Sequence, residues 1–352
     1  MKGQKGEQNK LLTGGDSLMA YETEDQETQY CFPDINSSCV KERRSSHGYN
    51  IIYVFVSLLS AWTVFLNLLV IISISHFKKL HTPTNMIILS LAVADLFIGL
   101  IIPIEAIRMT ESCWYFGDIV CGLYLVSVEL LLSASLGNLI LIAVDRYVAV
   151  CHPLLYPQKI TITKTLISIC LSWAWFSTYI IALVINNRYF DNSHRTDVCY
   201  GQCLVMVSFS WTVTDLFMSF IFPCTLIILL YLRIFYVVHQ QVKVINSLMK
   251  GGKCVTEGSV KRKSESKAAL TLGIIVAVYL LCYIPYYICS LIVISSSTAM
   301  NVIIWFLYVN SGLNPLVYAL FYPWFKKTAK LVLTLKIFDP ASSLINIFTE
   351  HE

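Results

Sequence analysis

Long stretches without a single charged residue are the feature of this chain that most restricts its fold. Residues 51–75 contain no Asp, Glu, Lys or Arg, and the same holds from Ala268 to Phe325, a run of 58 residues. A helix needs about 20 mainly apolar residues to cross roughly 30 Å of hydrocarbon, because every backbone polar group must be satisfied inside the segment. The longer run therefore holds two crossings, with the polar cluster at 295–298 as the turn between them.

Read in the same way, the apolar runs predict an all-α membrane protein, a seven-transmembrane-helix bundle. The crossings are expected near residues 51–76, 84–109, 118–150, 163–187, 205–239, 267–292 and 300–322. The chain then divides into a polar tail at 1–50, the seven-helix domain at 51–322 and a closing segment at 323–352. Charged residues make up only 14% of the chain. Soluble domains carry roughly 25%, so an ordinary soluble protein is excluded.

The basic residues between the runs indicate the orientation of the chain. Those on one side are Lys78, Lys79, Arg146, Lys159, Lys164, Arg233, Lys261, Arg262, Lys263, Lys326 and Lys327. Because Lys and Arg are enriched on the cytoplasmic side, we expect a multi-pass protein with an extracellular N-terminus. The net charge is only +4, and the basic residues stand in short blocks between the apolar runs. We therefore expect the chain to contact membrane lipid and do not expect it to bind nucleic acid.

Six of the twelve cysteines fall on the expected outer side, where disulfides persist. They are Cys31, Cys39, Cys113, Cys121, Cys199 and Cys203, and spacing alone does not choose among their pairings. Asn36 begins an Asn-Ser-Ser acceptor for N-glycosylation on the same side. The chain has neither a Cys-x-x-Cys pair nor an HExxH helix, so no metal centre of these types is expected.

Ionisable residues at membrane depth are costly and usually face a bundle interior, so each marks a candidate site. Asp95 lies in the second run, Glu129 and the pair Asp145-Arg146 in the third, and Asp215 alone in the fifth. Asp215 is either the counter-ion of a ligand or a structural carboxyl that is protonated or bridged by water. Glu129 faces either a ligand cavity or a neighbouring helix.

Two further charged pairs have a structural interpretation. Glu105 and Arg108 close the second run at its outer end, where they are expected to reach the membrane interface or to pair with each other. Asp145 and Arg146 lie at the opposite rim and also fit the role of interface anchors.

A set of polar, aromatic and proline residues follows the seven runs in order: Asn67, Asp95, Asp145-Arg146-Tyr147, Trp173, Pro223, Pro285 and Asn314-Pro315-Leu316-Val317-Tyr318. Together they resemble the rhodopsin-like G-protein-coupled receptors. Segments of the chain resemble trace amine-associated receptors within that class, namely 31–41, 72–85, 113–118, 266–275 and 310–327. The resemblance extends over about residues 31–340 and implies a place in the plasma membrane.

The resemblance implies two outer disulfides, Cys121 with Cys203 and Cys39 with Cys199. It assigns no partner to the other two outer cysteines. It also implies a site for an allosteric sodium ion, whose preference for oxygen ligands suits such a pocket, and no other metal or cofactor. The residues of that pocket are Asp95, Ser135, Asn310 and Asn314.

On the inner side, the resemblance implies that Arg146 pairs with Glu265 at rest and meets a heterotrimeric G protein when the receptor is active. The coupling and switch residues are Asp145, Arg146, Tyr147, Glu265, Tyr279, Pro285, Pro315 and Tyr318. Pro323–Phe338 resembles a short amphipathic eighth helix on the inner leaflet. Its apolar face is expected to contain Phe325, Leu331, Leu335 and Phe338.

The sequence departs from the family where an amine would bind. Amine receptors carry an aspartate eighteen residues before the arginine at position 146, and here that position is Val128. A fish branch of the family instead has an aspartate eight residues before the proline of the fifth run, and this position is Asp215. Tyr283 and Tyr279 replace the usual tryptophan and phenylalanine of the sixth run.

We therefore expect an olfactory amine receptor that binds mono- or diamines at Asp215 and raises cAMP through a stimulatory-type G protein. The other candidate ligand-binding residues are Val128, Glu129, Tyr283, Tyr286, Tyr287, Trp305 and Tyr308. An aminergic neuromodulator receptor or a receptor for a non-amine ligand is the alternative. A secondary transporter would typically show two repeated halves, and the sequence contains no such repeat, so a transporter is not expected. No nucleophile and base lie together at membrane depth, so an enzyme is not expected.

Overall fold

The computed structural model describes residues 29–41, 46–111, 113–186, 199–203, 208–250, 273–274, 276–290, 297–339 and 342–345. Seven helices follow one another through the bundle: α1 Ser46–His76, α2 Pro83–Thr110, α3 Gly117–Cys151, α4 Ile162–Asn186, α5 from Phe209 to Lys250, α6 Val276–Ser290 and α7 Ser297–Phe321. A shorter helix, α8 Pro323–Leu333, follows. The described residues contain isolated β-bridges but no strand, so the all-α fold predicted from the apolar runs is confirmed.

The first five helices are long and apolar enough to cross a membrane, and α6 and α7 contain the shorter apolar stretches Val276–Ser290 and Val302–Tyr318.

Residues typical of helix N-termini mark the start of two helices. Thr82 caps α2 by accepting a hydrogen bond from the backbone N–H of Asn85, and Pro83 occupies the first turn, where a missing N–H costs nothing. Pro323 begins α8 in the same way.

The fifth helix consists of Phe209–Asp215, a π-helical turn Leu216–Ile221 and Phe222–Lys250. The wider turn lies immediately before Pro223, whose missing N–H interrupts the regular backbone ladder. The helix begins later than the expected residue 205 and continues beyond the expected residue 239. The apolar run in the sequence predicts only the part of the helix inside the hydrocarbon. The helix itself continues into water as long as its backbone N–H and C=O groups stay hydrogen-bonded to one another.

The eighth helix is also shorter than expected. It ends at Leu333, and Leu335 adopts a left-handed conformation with φ 57°. Leu335 and Phe338 therefore lie outside the helix and are largely exposed, so their assignment to its apolar face is wrong. Phe325 is buried in the same apolar cluster as residues of the bundle.

Polar contacts at membrane depth fix the helices against one another. The amide of Asn67 in α1 donates to the backbone oxygen of Ser311 in α7 over 3.1 Å. The indole N–H of Trp173 in α4 donates to the Ser90 hydroxyl in α2 over 3.1 Å. Such hydrogen bonds satisfy polar side chains at a depth where no water is available to do so.

A disulfide cap, formed by residues 29–41, 113–116 and 199–203, closes one end of the bundle. Its bridges are Cys31–Cys113, Cys39–Cys199 and Cys121–Cys203. Two are the pairs implied by the family resemblance, and the third joins the two cysteines that it left unassigned. Backbone bonds run from Cys39 N–H to the oxygen of Tyr200 and from Trp114 N–H to the oxygen of Gly201. Asn36 is exposed on this cap.

Loss of the Cys121–Cys203 bridge is expected to abolish surface expression. Removing a native disulfide typically costs about 2–5 kcal/mol, and this bridge anchors the cap to the start of α3. We predict the same loss for Cys121→Ser and for Cys203→Ser, measured by antibody labelling of intact cells. Cys170→Ser, at a free and exposed cysteine, is the control. Non-reducing peptide mapping that joins Cys121 to another cysteine would contradict the assignment.

Gly137 lies where α3 packs tightly against α4. A Cβ atom there would lie 2.6 Å from the Phe176 ring and would also meet the Ser172 hydroxyl. We predict that Gly137→Ala destabilises the protein by about 1–3 kcal/mol through overpacking, seen as a lower melting temperature of purified receptor. Ser127→Ala, on the exposed face of the same helix, should leave the melting temperature unchanged. Equal stability of the two variants would show that α3 and α4 separate without cost.

Candidate ligand-binding site

Two adjacent cavities lie inside the bundle. The upper cavity, nearer the disulfide cap, has a volume of about 340 Å³ and is lined mainly by α2, α3, α5, α6 and α7. The lower cavity has a volume of about 40 Å³. Five residues line both, namely Glu129, Leu132, Asp215, Tyr286 and Leu307. The upper cavity is within the size range of sites for small molecules.

The Asp215 carboxylate lies at the junction of the two cavities, at the last residue before the π-helical turn. The hydroxyl of Tyr179 in α4 donates to its Oδ1 atom over 3.1 Å, and the Ser219 hydroxyl donates to the same atom over 2.7 Å. Within the described part of the chain, Oδ2 has no hydrogen-bond partner. Asp215 thus keeps one carboxylate oxygen available to the cavity.

The Glu129 side chain lines the same two cavities. It follows Val128, which lines only the upper cavity, and one helical step turns a side chain by about 100°. No hydrogen bond or ion pair joins Glu129 to another described residue. The structure therefore brings Glu129 and Asp215 to one cavity and gives neither a cationic partner of its own.

A second polar cluster lies in the upper cavity, and sequence reasoning did not include it in the site. Arg108 donates to both carboxylate oxygens of Glu105, over 2.8 and 2.6 Å. Tyr124 also donates to Glu105. Glu105 is 2% exposed, so the pairing expectation is correct and the membrane-interface expectation is wrong. The i,i+3 spacing was the available signal, since such residues share a helix face.

Tyrosine rings form much of the wall beside the carboxylates. Tyr286 lines both cavities, whereas Tyr283 and Tyr287 line the lower one. Tyr283 stacks on Tyr279 with ring centroids 4.0 Å apart, and its buried hydroxyl has no hydrogen-bond partner among the residues that the structure describes.

The expected aromatic wall needs one correction. Trp305 lines neither of the two cavities. It packs against Phe55 and Tyr308 instead, with ring centroids 6.2 and 5.7 Å apart. Tyr308 itself lines the upper cavity, as predicted.

The expected sodium pocket is a separate polar cluster between α2, α3 and α7. Asp95, fully buried, accepts from the Ser135 hydroxyl over 3.3 Å and from the Asn314 amide over 2.8 Å. The amide oxygens of Asn310 and Asn314 are buried without a partner. A carboxylate, a hydroxyl and unpartnered amide oxygens fit a hard monovalent cation. No group of three or more His, Cys, Asp or Glu side chains forms a metal site in the described ranges.

The inner switch residues form another cluster. Arg146 donates to Oδ2 of Asp145 over 2.6 Å, and the hydroxyl of Tyr156 donates to Oδ1 over 2.9 Å. Burial and the nearby Asp145 carboxylate raise the pKa of Tyr156, which keeps its phenol a donor. Thr84 completes the cluster by donating to Asp145 over 2.8 Å. The predicted partner Glu265 lies outside the described residues.

The remaining switch residues lie on three helices. Tyr147 of α3 contacts His152 with ring centroids 5.6 Å apart. Pro285 lies within α6 and Pro315 within α7. Tyr318 is completely buried, and its hydroxyl has no partner in the described part of the molecule.

Comparison with known proteins identifies the class. Residues 66–318 match the family described as 7 transmembrane receptor (rhodopsin family). Trace amine-associated receptor 13c of Danio rerio is 40% identical over 333 residues, which cover 92% of this chain and 97% of that protein. Trace amine-associated receptor 6 of Rattus norvegicus is 38% identical over 334 residues, 92% and 96% of the two chains.

The bundle and the family match define a rhodopsin-type G-protein-coupled receptor, which is a multi-pass membrane protein, has a heterotrimeric G protein as its partner and is not an enzyme. Within this class, the chain belongs to the trace amine-associated receptors. The family assignment made from residues 31–340 is confirmed.

Proposed function

We propose that this receptor binds an amine from outside the cell at Asp215 and activates a stimulatory-type G protein that raises cAMP. The observation that carries the proposal is the Asp215 carboxylate, whose Oδ2 atom is unpartnered among the described residues and which lines a cavity of about 340 Å³. A carboxylate and an alkylammonium form a charge-assisted hydrogen bond, which is strong where water is scarce. The two relatives described above are named trace amine-associated receptors, which supports an amine as the ligand.

The charges in the upper cavity also favour a cation. Its charged side chains are Glu105, Arg108, Glu129 and Asp215. Arg108 is held by Glu105 through two short bonds, so these two charges offset each other. Glu129 and Asp215 are then two acidic side chains without a cationic partner among the other described residues. A cationic ligand lowers their mutual repulsion.

We place the protein in the plasma membrane with its N-terminus outside, because the disulfide cap belongs in an oxidising compartment and the basic loops belong inside. The cap would carry a glycan at Asn36. The G-protein surface would include Arg146, the second inner loop near His152 and the third inner loop, whose basic block lies outside the described residues. Pro323–Leu333 would lie on the inner leaflet as an amphipathic helix.

Activation would follow from a higher affinity of the amine for the active arrangement of the helices, since a ligand shifts an equilibrium only by its differential affinity. A sodium ion would be held in the resting state by Asp95, Ser135, Asn310 and Asn314, and it would neutralise the buried Asp95 carboxylate.

We propose that the receptor detects amines as odorants, because the chain resembles the olfactory members of the family.

Replacing Asp215 tests the amine proposal. Truncating one partner of a buried charge pair costs about 2–5 kcal/mol, so Asp215→Ala should abolish amine responses in a cAMP reporter assay, and Asp215→Asn should nearly do so. Surface labelling should show normal amounts of both variants. Thr214→Ala, at the exposed neighbouring residue, is the control. Unchanged amine potency in Asp215→Ala would refute the anchor, and responses only to non-amines would favour the alternative receptor class.

The two carboxylates favour diamines as a second, narrower candidate for the ligand. Glu129 and Asp215 line the same cavities, and a second ammonium group would offset the charge that a monoamine leaves. This preference depends on Glu129 remaining ionised and facing the ligand.

Glu129→Gln keeps the shape of the side chain and removes its charge. We predict that the potency of a diamine such as 1,5-diaminopentane falls at least about tenfold more than that of pentylamine, because a charge-assisted bond is stronger than a neutral one. Dose-response curves for both ligands on the parent and the variant measure this difference. An equal loss for both ligands would assign Glu129 a structural role only.

A further inference from the structure

The upper cavity has a second polar region besides the one around Asp215. Glu105 and Arg108 of α2 line the upper cavity only, whereas Glu129 and Asp215 also line the lower one. The other residues that line only the upper cavity include the apolar Leu125, Val128, Leu183 and Ile304. A molecule that fills the upper cavity therefore meets the Asp215 carboxylate, apolar side chains and the polar groups of α2.

The Arg108 guanidinium keeps hydrogen-bonding capacity after its pairing with Glu105. A guanidinium has five N–H donors and no acceptor. Its Nε and Nη2 atoms donate to Glu105 over 2.8 and 2.6 Å, and Nη1 approaches the backbone oxygen of Cys203 only at 3.5 Å. The remaining N–H groups have no acceptor among the described residues. Because the Arg108 side chain is 16% exposed and that of Glu105 only 2%, the pair presents donors to the cavity.

The charges around Arg108 indicate which kind of acceptor fits there. The guanidinium is already neutralised by the Glu105 carboxylate, which also accepts a hydrogen bond from Tyr124. A ligand ammonium at this position would face the guanidinium, and a ligand carboxylate would lie beside that of Glu105, so like charges would repel in both cases. An uncharged oxygen atom accepts from the spare N–H groups and adds no charge to the region.

We propose that Glu105, Arg108 and Tyr124 form a subsite, the Arg108 subsite, for an uncharged oxygen acceptor at the end of the ligand remote from its ammonium group. The inference rests on the proposed amine function and narrows its ligand class to amines with a distal hydroxyl, ether or carbonyl oxygen. Arg108 is the residue that determines this specificity. The diamine preference concerns a different residue, Glu129, so the two predictions are independent.

The experiment compares amino alcohols with alkylamines in which a methyl group replaces the hydroxyl. The pairs are 5-aminopentan-1-ol with hexylamine, 7-aminoheptan-1-ol with octylamine and 9-aminononan-1-ol with decylamine. Affinities come from thermal stabilisation of the purified full-length receptor, since a ligand that binds only the folded state raises the melting temperature according to its affinity. We expect the affinity ratio of alcohol to alkylamine to be highest at the chain length that reaches from Asp215 to Arg108.

The variant combines Glu105→Gln with Arg108→Met, because removing Arg108 alone would leave a buried carboxylate unpaired. At the best chain length it should lose at least about tenfold in affinity for the amino alcohol, the usual effect of losing a hydrogen bond to a charged group, and less than about threefold for the alkylamine. Arg108→Lys keeps the charge beside Glu105 and removes the planar fork of donors, so it should lower the same ratio. Thr212→Val, the control, removes a hydroxyl side chain that lines the upper cavity and should leave the ratio unchanged.

The inference is overturned if the parent shows the same ratio at all three chain lengths, or if the double variant and Arg108→Lys keep the ratio of the parent. Tighter binding of an amino acid of equal length, with a carboxylate in place of the hydroxyl, would overturn the choice of an uncharged group. The parent series needs no variant, so poor folding of a variant does not remove the test. If alkylamines bind and Asp215→Ala abolishes their binding while the ratios are flat, only the Arg108 subsite fails. If no amine binds the parent, the proposed function fails with it.

Discussion

The requirement that polar groups find partners where water is absent controls this structure from the backbone to the binding site. Backbone N–H and C=O groups meet it by forming helices. Side chains such as Asn67 and Trp173 meet it by bonding to neighbouring helices. Some buried polar atoms remain unpartnered among the described residues, including the Tyr283 hydroxyl in the wall of the lower cavity and the amide oxygens of Asn310 and Asn314 in the pocket around Asp95.

The charges around the upper cavity are divided into two regions with different chemistry. On the α2 side, Arg108, Glu105 and Tyr124 satisfy one another, so that region offers polarity without net charge. On the α5 side, neither Asp215 nor Glu129 has a cationic partner among the described residues, and the hydrogen bonds that Asp215 accepts come from the neutral hydroxyls of Tyr179 and Ser219. Arg108 also approaches the backbone oxygen of Cys203 at 3.5 Å, which connects the wall of the upper cavity to the disulfide cap.

Replacement of the usual third-helix aspartate by Val128 changes the geometry of binding in physical terms. In the proposed site the ammonium anchor lies on α5 instead of α3, and Tyr179 and Ser219 hold the Asp215 carboxylate by one oxygen. The π-helical turn Leu216–Ile221 follows it directly, and such turns are frequent at functional sites. Tyrosine in place of the usual tryptophan at position 283 adds a hydroxyl to a residue in the wall of the lower cavity, which Asp215 also lines.

The sequence by itself determined the number of crossings and which carboxylates lie within the apolar runs, because hydrophobicity and charge are local properties of a segment. It did not determine the ends of α5 and α8, since a helix is not bounded by the hydrocarbon, nor the Cys31–Cys113 pairing. Only the tertiary structure decided that Glu129 lines the same cavities as Asp215, that Trp305 lies outside them and that Glu105 and Arg108 line the upper one. These outcomes depend on how each helix is rotated. That rotation is set by contacts between residues far apart in the chain, such as Asn67 with Ser311.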